Sequence, residues 1–124
     1  MTSAEFAELQ GYRDLAIGAW EKAISSTVVH YINDVLQDLN ATEVDAAGLA
    51  KHWSELKGFA LAFQFNPNSP MSDADFAQLH SLLGTGPSLD ASYQADLLTA
   101  RGLLRDAYSF DNSNMGDDNG EGGW

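Results

Sequence analysis

One stretch limits the possible folds more than any other: from Ser3 to Leu39 the chain carries apolar residues at helical spacing without a single proline. Phe6, Leu9, Ala16, Trp20, Ala23, Ile24, Thr27, Tyr31, Val35 and Leu39 recur at steps of three and four, the period of a helix that buries one side. The segment predicts one helix of about 37 residues, roughly 55 Å long at 1.5 Å per residue. Ser25-Ser26-Thr27 is its weakest point, because three successive hydroxyls compete for backbone groups and favour a bend. Leu15, Val29, Ile32 and Leu36 lie off this stripe and form a second apolar edge, available to another helix of the chain, to a second copy or to a missing part of a larger protein.

Three further helices follow. Thr42 and Asp45 form a cap-like start for a second helix from Glu43 to Phe65, with Leu49, Trp53, Leu56, Ala60 and Phe63 as its stripe. Asn66-Pro67-Asn68-Ser69-Pro70 ends it, since each proline disfavours helical geometry in the residue before it. Ser72 opens a short third helix that turns Phe76, Leu79 and Leu83 inward and stops at Gly84-Thr85-Gly86-Pro87. Ser88 or Asp90 opens a fourth, running to Tyr108. Strand signals are absent. The fold class is therefore all-α, an antiparallel helical bundle of about four helices with one long N-terminal helix. Residues 1–110 form the bundle domain, and 111–124 form an acidic Gly/Asn-rich tail expected to be loop-like or mobile.

Charge narrows the partners. Asp and Glu number 18 against 6 Lys and Arg, giving a net charge of −12. A phosphate backbone needs clustered cations to displace its counterions, so nucleic acid is excluded as a partner. No segment reaches the ~18 consecutive apolar residues of a membrane span. With no cysteine in the chain, any metal has to be held by histidines and carboxylates. The start of the chain lacks the basic and apolar regions of a signal peptide. Together with the uncovered length of the first helix, this suggests half of a larger unit.

Two histidine–carboxylate pairs could carry chemistry. His52 and Glu55 stand three apart on the second helix and share a surface. His30 and Asp34 stand four apart on the first. If the hairpin turn centres near residue 41, antiparallel neighbours have numbers adding to about 82, which sets His30 level with His52. The four residues would then offer nitrogen and oxygen ligands to a divalent or ferric ion, zinc or iron. His30 lies about 100° from the centre of its stripe, so it could also face away. Either pair could equally form a local hydrogen bond at a solvated edge. His80 is placed to interact with the C-terminal dipole of the third helix. Arg101 and Arg105, one turn apart, could neutralise acids or clamp an anion. The tail begins like a calcium loop, but Met115 and Gly122 stand where ligands are needed, which excludes an EF-hand and leaves loose binding by Asp117, Asp118 and Glu121. No phosphate loop or nucleophile elbow is present.

Ala50-Lys51-His52-Trp53-Ser54-Glu55 resembles the Gly-x-His-x-x-Glu motif of the imelysin-like proteins, with Ala50 where that family has Gly. The longer phrase from His52 to Ala60 is similar to a related bacterial family of mostly exported proteins. So are Ala19-Trp20-Glu21-Lys22-Ala23, Val29-His30-Tyr31-Ile32-Asn33 and Leu104 to Phe110. The resemblance covers about residues 5–110, as the C-terminal half of a longer protein. It implies a helical-bundle protein of the bacterial cell envelope or periplasm, linked to iron acquisition, with His52 and Glu55 as motif residues lining a cleft toward the other half. The extra methyl of Ala50 narrows the approach to that helix. The family carries a metallopeptidase label, but nothing in this sequence nominates a substrate pocket. The expected partners are that N-terminal half or a homo-oligomer. Metal affinity would fall below about pH 6 as imidazole protonates. The rival expectation is a structural or interaction module without chemistry.

Overall fold

The computed structural model describes residues 1–124. Its elements are α1 (Ser3–Asn40), α2 (Ala46–Ala60), a 3₁₀ turn (Leu61–Phe65), α3 (Asp73–Leu83), α4 (Ala91–Tyr108) and a second 3₁₀ turn (Asn112–Asn114). The protein is all-helical, and no helix is long and apolar enough to cross a membrane.

α1 begins at Ser3, as the sequence suggests, behind a reciprocal cap at Thr2. The Thr2 hydroxyl accepts from the Glu5 amide at 3.3 Å, and the Glu5 carboxylate accepts from the Thr2 amide at 2.6 Å, which satisfies two otherwise orphaned donors. The helix then runs unbroken through Ser25-Ser26-Thr27, where the Ser26 and Thr27 hydroxyls donate back to the Ala23 carbonyl. α2 starts later than expected. Asp45, rather than Thr42, caps it by accepting from the Ala47 amide at 3.0 Å. The last part of the predicted second helix tightens into 3₁₀ geometry before Pro67.

The core is one cluster built from all four helices. Its α1 contribution is Val28, Val29, Ile32, Val35 and Leu36, all fully buried. Val29, Ile32 and Leu36, read as a second edge, join Val35 of the expected stripe in the core, with Ile24, Tyr31 and Leu39 packed against it, while Leu15 of that edge is exposed. Of the expected stripe, Phe6, Leu9 and Trp20 are exposed. The α1 sequence holds two overlapping apolar stripes, and periodicity cannot rank them. The face that meets α2 and α4 is the β-branched one.

Because α2 starts at Ala46, the α1–α2 register is also shifted. Facing residues have numbers that add to 90, as with Asp38 and His52, and with the stacked rings of Tyr31 and Phe59. That is eight residues, about two helical turns, away from the register expected from a turn at residue 41.

Polar side chains close the C-terminal end of α3. Lys57 donates to the carbonyls of His80 (3.3 Å) and Gly84 (2.8 Å), while the Trp53 indole and the Tyr93 hydroxyl both donate to the Leu83 carbonyl. Carbonyls left free at a helix end are thereby satisfied. Lys57, not His80, supplies the positive charge at this dipole. His80 turns its Nε2 toward the Ala60 carbonyl at 3.3 Å and its ring toward Phe76. Burial, reinforced by the Lys57 charge, lowers its pKa below the ordinary 6.5.

The acidic tail is loop-like, as expected, and it is packed on the bundle. Met115 is buried. Asn33 donates to the Trp124 carbonyl at 2.9 Å, and Gln37 to the Gly120 carbonyl at 2.7 Å. Arg101, only 7% exposed, donates to the Asn33 amide oxygen at 2.7 Å and the Asp117 carbonyl at 2.9 Å. It anchors the tail to α1 and forms no salt bridge; Arg105, which lines the same shallow cleft, pairs with Asp106. Gly120 has a φ of +85°, and a Cβ there would lie 2.3 Å from the Asn33 carbonyl oxygen. Only glycine fits such an approach.

His80 generates a pH prediction. A histidine whose folded pKa is depressed contributes stability that is present above its unfolded pKa and lost as pH falls through the folded value. The thermal midpoint should therefore drop between about pH 7 and pH 5, and His80→Gln, which keeps a donor for Ala60, should reduce that drop. Parallel melts of the two proteins that fall equally would contradict the assignment.

Candidate functional site

The shifted register decides where the histidines stand. His52 meets Asp38, with Nδ1 2.7 Å from the carboxylate and both side chains about a quarter exposed. Asp38 was not among the expected partners. No hydrogen bond joins His52 to Glu55, although both sit on the same half-exposed side of α2. His30 reaches Asp34 at 3.3 Å, one turn along α1, with its ring half exposed. His30 is thus level with Ala60 rather than His52. The structure does bring together each imidazole and a carboxylate, but it keeps them as two separate pairs. No group of three or more His, Asp or Glu side chains converges on one point. Two donors make an incomplete shell, so the chain's own residues do not by themselves fit a resident metal ion. In the tail, the Asp117 carboxylate already accepts the Asn119 and Glu121 amides, each at 2.9 Å; these backbone bonds hold its pKa low.

The larger surface feature lies at the other end of α1. α2 and its 3₁₀ extension end opposite the middle of the helix, and the loop after them lines α1 from Glu21 back to Asp14 without burying those earlier residues. From Ser3 to Trp20 the helix therefore extends past the bundle as an arm of about 27 Å. Of these residues, all but Gln10 are exposed. Phe6, Leu9, Tyr12, Leu15, Ile17 and Trp20 are between 42% and 72% exposed. Isolated exposed apolar residues are ordinary, whereas a contiguous run of large ones marks a contact surface.

The patch continues onto the bundle. A shallow groove of about 220 Å³ at the base of the arm is lined chiefly by Ile17, Trp20, Ile24, Ala62 and Phe65. Phe65 itself is 78% exposed, and Phe59 and Leu61 stand open nearby in the chain. On a helical wheel Phe6, Leu9, Ile17, Trp20 and Ile24 fall within about 80° of one another. Ridge and groove thus form one apolar strip.

A polar knot fixes the base of this arm. Glu21 is only 5% exposed, and its carboxylate accepts the Tyr108 hydroxyl at 2.6 Å along with the Asn66 amide and the Ser69 hydroxyl. It ties α1 to the loop after α2 and to the end of α4. Burial and the facing carboxylate push the Tyr108 hydroxyl pKa far above its ordinary value, so it stays a donor. Glu21 was not a candidate from sequence, because a lone Glu in a helix carries no signal of burial. The exposed arm, by contrast, was written in the sequence as the apolar stripe from Phe6 to Trp20.

No protein-family profile matches the chain, and neither a curated protein nor a solved structure is significantly similar to it.

Removing the Glu21 carboxylate leaves three buried or half-buried donors without their acceptor. Glu21→Ala should destabilise the fold by about 2–4 kcal/mol, and Glu21→Gln, which retains one acceptor oxygen, by less. Chemical denaturation compares them; an Ala variant as stable as the wild type would show the knot to be energetically idle.

Proposed function

We propose that this chain acts as a helical interaction module, a compact four-helix body that presents the first half of α1 for docking against another helix. The observation that carries this reading is the exposure of Phe6, Leu9, Ile17 and Trp20 on one strip of the Ser3–Trp20 arm, continuous with the groove at Phe65. Their burial against a partner contributes about 25 cal/mol per Å² of apolar surface, the driving force for helix-in-groove association. The arm is not self-sufficient: an isolated helix of this length is marginal in water, and the Glu21 knot and the buried half of α1 supply its nucleus.

Site-specific photo-crosslinking in the producing cell tests the reading. A photoreactive residue at Leu9 or Trp20 should form adducts, and one at Lys51, on the exposed side of α2, should not. Arm positions that form no adduct, or crosslink no better than Lys51, would sink it.

A second reading follows from the imelysin-like resemblance: an envelope protein whose His52 takes part in holding a divalent or ferric ion. What favours it is the Asp38 contact at Nδ1, since a carboxylate on one ring nitrogen orients the other toward a ligand. Glu55 stands one turn away, and the remaining ligands have to come from outside this chain. Calorimetric titration with zinc(II) and iron(II) at neutral pH should then show stoichiometric binding that His52→Ala and Glu55→Ala each weaken. A wild type that binds neither ion would refute it for this chain.

A further inference from the structure

Resting on the interaction-module reading, we infer that the occupant of the arm is a second copy of this chain, with the two arms packed antiparallel. Three observations point there.

The surface is self-complementary. It carries a ridge and a groove on the same strip, the requirement for a two-fold contact in which one patch meets itself. Along the arm, large residues at Phe6, Leu9 and Trp20 alternate with small ones at Ala16 and Ala23. An antiparallel register that sets Phe6 against Ala23 also sets Leu9 against Trp20 and Arg13 against Ala16. Large side chains then meet small ones at two of these levels, and Phe6 of each copy reaches the other's groove at Ile24 and Phe65.

The area is sufficient. Aromatic side chains present roughly 150–250 Å² each, so Phe6, Trp20 and Phe65, half to four-fifths exposed, hold on the order of 400 Å². Leu9, Ile17 and the flanking Tyr12 bring the patch toward the roughly 800 Å² per partner of a stable complex.

Charge sets the orientation. The net charge of −12 opposes self-association, but the apolar strip carries no acid: Glu5, Glu8 and Asp14 fall outside its arc on the helical wheel. The arm's charged side chains are Glu5, Glu8, Arg13 and Asp14, and the Arg13 guanidinium already bonds Asp14 at 2.7 Å. Most of the negative charge lies on the body. Antiparallel arms send the two bodies to opposite ends, separated by more than the ~8 Å screening length at physiological ionic strength. Parallel arms would press them together.

Light scattering and sedimentation of the intact chain across a wide concentration range should show a monomer–dimer equilibrium. Leu9→Glu and Trp20→Glu should each raise the dimer dissociation constant at least ~10-fold. Neither side chain is part of the core, so far-UV circular dichroism of the variants should stay helical. Because the chain has no cysteine, a spin label on Ala4→Cys is unambiguous: its interchain distance should be about 30 Å, against about 10 Å for parallel arms. A monomer at every concentration overturns the inference, as does a dimer indifferent to both Glu variants, and a short label distance overturns the antiparallel arrangement. Arm-specific crosslinks to a different protein, from a chain that is monomeric alone, would leave the module reading standing and remove only the second copy.

Discussion

The packing of the valine-rich face of α1 onto α2 and α4 governs most of what the molecule presents. Val28, Val29, Ile32, Val35 and Leu36 are sealed from water in one cluster with Leu49, Leu56, Leu97 and Leu104. Once that face is turned inward, the rest of α1 has no freedom: a helix is a rigid rod, and each residue's bearing follows from its number. The stripe from Phe6 through Trp20 is thereby rotated to the side, and the helix runs on past everything that packs against it. A patch that would be core in a longer bundle becomes surface here.

The same packing separates the histidines. Register between two antiparallel helices depends on where the second begins, and that is set by the Asp45 cap. Two turns of displacement replace the pairing of His30 with His52 by that of Asp38 with His52. A converging set of ligands becomes two independent pairs. Around this frame, buried polar groups hold the ends. Glu21 is the first residue of α1 to be buried, Lys57 closes α3, and Arg101 with Asn33 holds the tail. Each is satisfied by hydrogen bonds to loop or carbonyl groups, the condition under which a buried polar group costs little.

Much of the architecture was legible in the residues. Four helices, their order, the Ser72 start, and the stops at Pro67 and Gly84 follow from periodicity, capping chemistry and backbone restriction, all of them local. The docking of the tail was not legible, for the opposite reason. Asp, Asn and Gly are loop formers, and loop composition carries no information about docking; Gly120 is there because its backbone lies against Asn33. Arg101 and Glu21 escaped notice because charged residues in a helix are usually solvated, and their burial depends on partners 68 and 87 positions away.

By itself, then, the sequence determined that the chain is all-helical, that α1 is a single long rod, and that its surface carries two apolar stripes. Which stripe faces the core, which residues meet across the hairpin, and which half of α1 is left uncovered were decided by tertiary structure alone. Helical period is a property of one segment, read within a few turns. Orientation and register belong to pairs of segments, and they are fixed by where caps place the second helix and by which faces exclude water together.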